Sequence, residues 1–123
     1  MKIKLKLLIA TLLGAMALFI GSFTFVSAAK PPIDGNVANG KQKYEALCIS
    51  CHGSKGHGDG AAANALPNEP ANIAQKLNKP FKTPIQIANK VLAGKIDEGM
   101  PAFKGVLTEK DAIDILAYVQ SIQ

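Results

Sequence analysis

Two thiols and an imidazole fall within five residues, Cys48-Ile49-Ser50-Cys51-His52, and these are the only two cysteines in a chain of 123 residues. Thiols three residues apart on a helix project from one side, so each can form a thioether with one vinyl group of a haem. The next residue then lies against the porphyrin plane, where a ring nitrogen of His52 can bind the iron. Cys-x-x-Cys-His is accordingly a pattern for covalent attachment of one c-type haem through Cys48 and Cys51. Other chemistries fit these residues less well. A Cys48–Cys51 disulfide would close a very short loop and constrain little unfolded chain. A thioredoxin-like pair needs a βαβ setting, which the sequence lacks. Zinc could draw on Cys48, Cys51, His52 and His57, but structural zinc sites separate their ligand pairs by longer segments.

Met100 is the second residue of interest. Met1 and Met16 fall in the N-terminal apolar stretch, which leaves Met100 as the only thioether of the remaining domain. Alone it could simply fill a gap in a core, as methionine commonly does. Beside a haem, a thioether braced by Pro101 in a non-helical stretch is placed to take the second axial position. His57 competes for that position, but it lies five residues past His52 and would have to wrap round the porphyrin edge; it reads as an exposed loop histidine. The glycines around it form no phosphate loop, because no Gly-Lys-Ser/Thr closes the pattern. With His52 and Met100 both on the iron there is no vacant position for a substrate. The iron then only cycles between Fe(III) and Fe(II), and no catalytic residue is expected. The soft thioether favours the ferrous form. The rival from another class is an open-site haem enzyme or gas sensor in which Met100 dissociates or never binds.

The surrounding chain supplies the setting. Lys2, Lys4 and Lys6 precede an apolar run from Leu7 to Val26 that closes on Val26-Ser27-Ala28-Ala29. This is the layout of a secretory signal peptide over residues 1–28, with cleavage after Ala28 preferred and Ala29 next. The run also approaches bilayer-spanning length, so an uncleaved anchor is the alternative. Either way the domain is exported, to the periplasm or the outer face of the cytoplasmic membrane. The formal charge of +5 is largely a property of that leader. Three of the 14 lysines and none of the 9 acids lie in it, so the domain carries about +2. Two haem carboxylates bring it near zero, which argues against a nucleic-acid partner. Lys55 and Lys104 offer rim charges for docking.

The elements that must position these groups read as follows. Residues 29–36 form an extended linker, and residues 37–123 the domain. A helix is expected over Val37–Cys51, with Val37, Tyr44, Leu47, Cys48 and Cys51 on one face. Gly40 interrupts it at some cost in propensity and could admit a close neighbour. Gly53 to Gly60 is loop. A short helical turn with irregular chain follows to residue 71, then a brief helix around Asn72–Leu77. Thr83, Pro84 and Gln86 mark a capping box with proline at the first helical position. That helix should bury Ile85, Ala88, Val91 and Leu92 and stop at Gly94. Lys95–Leu107 is a long connection. Thr108 caps a last helix that reaches about Ile122, with Ala112, Ile115, Leu116, Val119 and Ile122 as its stripe. No strand-like alternation is present, so the class is all-α. Ile113, Ile115, Leu116, Phe103 and Val91 are the candidate haem lining.

Gly40-x-x-x-Tyr44-x-x-x-Cys48-x-x-Cys51-His52-Gly53 is similar to the N-terminal helix and haem site of class I monohaem cytochromes c. Gly56-His57-Gly58-Asp59-Gly60 resembles the glycine loop that often follows. Gly99-Met100-Pro101-Ala102-Phe103 resembles that family's methionine loop, and Asp114–Ser121 its closing helix. The resemblance covers roughly Val37 to Ile122. It implies the cytochrome c fold, three to five helices wrapped round one covalent haem, with the N- and C-terminal helices crossing where Gly40 and Tyr44 meet Tyr118. It implies that a proline carbonyl, Pro70 rather than Pro67, accepts a hydrogen bond from His52. It also implies a monomeric electron carrier between respiratory or other redox proteins. The alternative of this kind is the cytochrome subunit of a dehydrogenase or oxidase complex.

Overall fold

Asn36 opens the helical part of the chain: its side chain accepts the Asn39 N–H at 3.0 Å, satisfying one of the donors a helix start leaves unpaired. The computed structural model describes residues 29–123, so the expected leader, residues 1–28, lies outside the described residues. Five helices follow in order: α1 (Val37–Leu47), α2 (Ile49–His52), α3 (Ile73–Leu77), α4 (Pro84–Ala93) and α5 (Glu109–Ser121). Single 3-10 turns span Ala63–Ala65 and Ile96–Glu98. The described residues hold isolated bridges between Lys95 and Met100 and between Lys104 and Leu107, but no strand. The fold is all-α. No helix among the described residues is long and apolar enough to cross a membrane.

The principal contact is the crossing of α1 and α5. Gly40 is buried there, and a Cβ at that position would overlap the Asp114 carbonyl. Glycine is therefore required for close approach, and the propensity lost inside α1 is exchanged for backbone proximity. One turn on, fully buried Tyr44 stacks at a tilt on Tyr118, with ring centroids 5.6 Å apart, and donates its hydroxyl to the Gly53 carbonyl at 2.6 Å. A buried phenol needs such a partner. Ala112, Ile115, Leu116 and Val119 of α5 complete the core with Ile87, Ala88 and Val91 of α4.

Local signals placed α4 and α5 closely. Thr83 and Gln86 form the expected capping box, Pro84 is at the first helical position, and Gly94 ends the helix. Thr108 and Asp111 form a second box at the start of α5. Three expectations need correction. The first helix does not run through Cys51: it breaks at Cys48, whose φ of −120° separates α1 from the short α2. Val37 is exposed rather than on the buried face. In α4, Ile85 is 40% exposed while Ile87 is 8% exposed. Either residue satisfies a helical period, and only the position of α5 decides which one faces inward.

Asp114, fully buried on α5, joins three segments. Its carboxylate accepts the Asn36 N–H at 2.8 Å, the Asn39 side-chain amide at 2.8 Å and the Lys110 ammonium at 2.8 Å. Burial pushes this carboxyl up, but the bonds from Lys110, Asn39 and Asn36 outweigh that and hold it below its ordinary range. Residues 30–36 are extended and lie against the body. Ile33 donates its N–H to Gln120 Oε1 at 2.6 Å, and the Lys30 ammonium donates to the carbonyls of Leu77, Lys79 and Lys82 at 2.6, 3.1 and 2.9 Å.

Candidate functional site

The break at Cys48 does not separate the motif from its support. His52 N–H bonds to the Cys48 carbonyl at 2.8 Å, and the loop that follows folds back onto the motif. Gly58 N–H bonds to the His52 carbonyl at 2.9 Å, and Ala62 N–H to the Ser50 carbonyl at 2.8 Å. Cys48 is buried and Cys51 is half-buried, and no disulfide joins them. Burial, and then the nearby Cys51, pushes the Cys48 thiol up to about 11.

His52 is buried, with Nδ1 2.9 Å from the Ala71 carbonyl. A carbonyl only accepts, so Nδ1 carries the proton and Nε2 keeps its lone pair. Burial lowers the pKa of this imidazole, the Ala71 bond opposes that, and Lys76 adds to the lowering. The ring is a neutral donor of its Nε2 lone pair. The partner differs from the expected Pro70 or Pro67. Pro70's carbonyl instead abuts Gly58, where φ is +87° and a Cβ would overlap it, so the next carbonyl along turns toward the histidine.

Met100 is held through its backbone. Its N–H bonds to the Lys95 carbonyl at 3.0 Å and its carbonyl accepts the Lys95 N–H at 2.8 Å. This bridge closes a loop around the 3-10 turn of residues 96–98, which ends at left-handed Gly99. Phe103 N–H bonds to the Leu92 carbonyl at 3.1 Å and anchors the exit of the loop on the end of α4.

Cys48, Cys51, His52 and Met100 line one hollow, whose other walls include Leu47, Leu66, Pro70 and Phe103. A second hollow adjoins it and shares His52, Ala71, Lys95 and Met100. Its floor is Ile73, Ile87 and Val91. Two thiols, a neutral imidazole, a soft thioether and apolar walls are the donor set and surface that suit a haem. His57 does not join them; it is exposed on the glycine loop, near the Gln123 side chain. Of the expected lining, Phe103 and Val91 face these hollows. Ile115 and Leu116 lie in the helix core, and Ile113 lines a separate hollow beside Pro31 and Pro84. The sequence reading missed Leu47, Leu66, Ile73 and Ile87. It also missed the lysines of the second hollow, Lys76, Lys79, Lys82, Lys90 and Lys95. Their spacing of three, three, eight and five residues follows no single helical face, so no periodicity announced them.

A family model described as "Cytochrome C oxidase, cbb3-type, subunit III" matches residues 35–119. No curated protein matches the chain. Among solved structures, it is similar to a chain of the Kuenenia stuttgartiensis reducing HAO-like protein complex, with 27% identity and a TM-score of 0.61. The likeness covers 79% of this chain and 48% of that one, so this chain spans about half the length of that relative.

Proposed function

This chain belongs to the cytochrome c family described as cytochrome C oxidase, cbb3-type, subunit III, and is an electron-transfer haem protein; from that premise we propose a monohaem carrier in which Cys48 and Cys51 hold haem c covalently while His52 and Met100 bind its iron. The observation that carries this reading is the convergence of those four side chains on one cleft walled largely by apolar residues. Haem iron supplies reversible one-electron exchange between its ferric and ferrous states.

The chain's own groups tune that exchange. The Ala71 carbonyl holds the His52 ring in one tautomer and makes Nε2 the more basic nitrogen. The Met100 thioether is a soft donor that favours the lower charge. Leu47, Leu66 and Phe103 exclude water, which further disfavours the extra ferric charge. With His52 and Met100 both holding the iron no site would be left for a substrate, so the protein would pass electrons between a donor and an acceptor protein at small, rapidly released contacts and would not itself be an enzyme. The apolar run before residue 28 directs the domain out of the cytoplasm, to the periplasm or the outer membrane face. A second reading, a fixed subunit of a redox complex, is favoured by the similar chain's place in one.

The test is to express the full chain in an exporting host and record its mass and optical spectrum. The expected result is a mass of one polypeptide plus one haem, resistant to extraction, and a methionine-to-iron charge-transfer band in the ferric protein. A colourless protein with free thiols at Cys48 and Cys51 sinks the reading. Purification from the native membrane as a stoichiometric complex would favour the subunit over the free carrier.

A further inference from the structure

The second hollow is fringed by cations that nothing among its own lining residues balances. Lys76, Lys79, Lys82, Lys90 and Lys95 surround it, and none of its lining residues is an Asp or Glu. They come from the body of α3, the loop after it, α4 and the start of the methionine loop, so tertiary folding gathers them. The loop carrying Lys79 and Lys82 is pinned by the Lys30 ammonium through the carbonyls of both residues. Lys95 has a partner, Glu98, at 2.6 Å, but Glu98 lines the first hollow rather than the second. Like charges gathered round one hollow repel one another, and an anion among them would relieve that repulsion.

A haem presents such an anion at a defined place. Its vinyl groups lie toward one edge and its two carboxylates toward the opposite edge. Cys48 and Cys51 line the first hollow and not the second, whereas His52 and Met100 line both. A haem tethered at the first hollow therefore extends its far edge into the second. We infer that Lys76 and Lys90, with Lys79, Lys82 and Lys95 around them, form the site that receives the two haem carboxylates. Lys76 is the innermost of them, being half-buried where the others are exposed. Burial, followed by Lys95 and Lys90, depresses its pKa. The inference rests on the haem reading above and extends it to the orientation of the group and to its potential.

The test uses the full-length holoprotein with its haem carboxylates labelled with carbon-13, comparing Lys76→Gln, Lys90→Gln, the double variant and Lys76→Arg. Lys41→Gln, exposed on α1 and outside both hollows, serves as the control. Removing a paired lysine leaves carboxylate charge uncompensated and stabilises the ferric state. The midpoint potential should fall in each Gln variant, fall further in the double variant and be restored by Lys76→Arg. The labelled carboxylate bands in the redox-difference infrared spectrum should shift in parallel. Unmoved bands and potentials overturn the inference, as does an equal shift in Lys41→Gln. Slower electron delivery from a partner with unmoved bands would instead make the cluster a docking face, which also overturns it. A wild-type protein without haem fails the earlier reading before any variant is compared.

Discussion

At His52 the two ring nitrogens have different tasks. Nδ1–H is spent on the Ala71 carbonyl at 2.9 Å, and that bond gives Nε2 its lone pair and its direction. Met100 has no such side-chain support and depends on the two backbone bonds to Lys95. Met100→Ala should keep covalent haem at wild-type yield, lose the charge-transfer band, gain affinity for added imidazole or cyanide and show a lower midpoint potential. His57→Ala should leave spectrum and potential unchanged, and loss of the axial band in that variant would show that the wrong residue has been assigned. Cys48, Cys51, His52 and Met100 could be picked out from residue type and spacing. Ala71 could not, because every residue offers a carbonyl and only the path of the chain past Gly58 selects this one.

At the scale of the elements, the α1–α5 crossing carries the largest predicted penalty. Gly40→Ala places a methyl group against the Asp114 backbone, which cannot rotate away as a side chain would. A loss of about 1–3 kcal/mol is expected, read as a lower denaturant midpoint at unchanged m-value. Thr83→Ala removes an exposed cap from α4 and should cost about 1 kcal/mol or less. An order in which the Thr83 variant is the less stable would mean that the crossing is looser than described. The caps at Thr83 and Thr108 were legible because capping is decided within four residues. The choice of Ile87 over Ile85 was not, since both meet the helical repeat and the neighbouring helix arbitrates. The break at Cys48 likewise carries no glycine or proline to mark it.

For the whole molecule, acid stability follows from Asp111 and Asp114. The Thr108 N–H, then Asn39 and the Thr108 hydroxyl, hold the Asp111 carboxyl down to about 2. Asp114 is also held low, by donors that outweigh its burial. A carboxylate with a depressed folded pKa contributes stability that is complete above its unfolded value and disappears as pH falls through the folded one. Through these two carboxylates the denaturant midpoint should thus decline from about pH 4 to about pH 2. Asn39→Ala removes a donor from both carboxylates, at 3.0 Å and 2.8 Å, and should start the decline at higher pH. A variant profile superimposable on wild type would show that Asn39 does not hold them. The extended segment 30–36 shares this network through Asn36, so truncation before residue 37 should lower stability at neutral pH as well.

The amino-acid sequence alone determined the Cys-x-x-Cys-His spacing, the lone thioether of residues 29–123 and the caps of α4 and α5. Each of these depends on groups a few residues apart, whose relation is set by bond geometry and helical repeat. Tertiary structure alone decided which carbonyl orients His52, which apolar residues wall the cleft and which lysines gather at its far edge. Those depend on segments from Ala71 to Lys95 meeting a motif at residues 48–52, a matter of packing that no local pattern encodes.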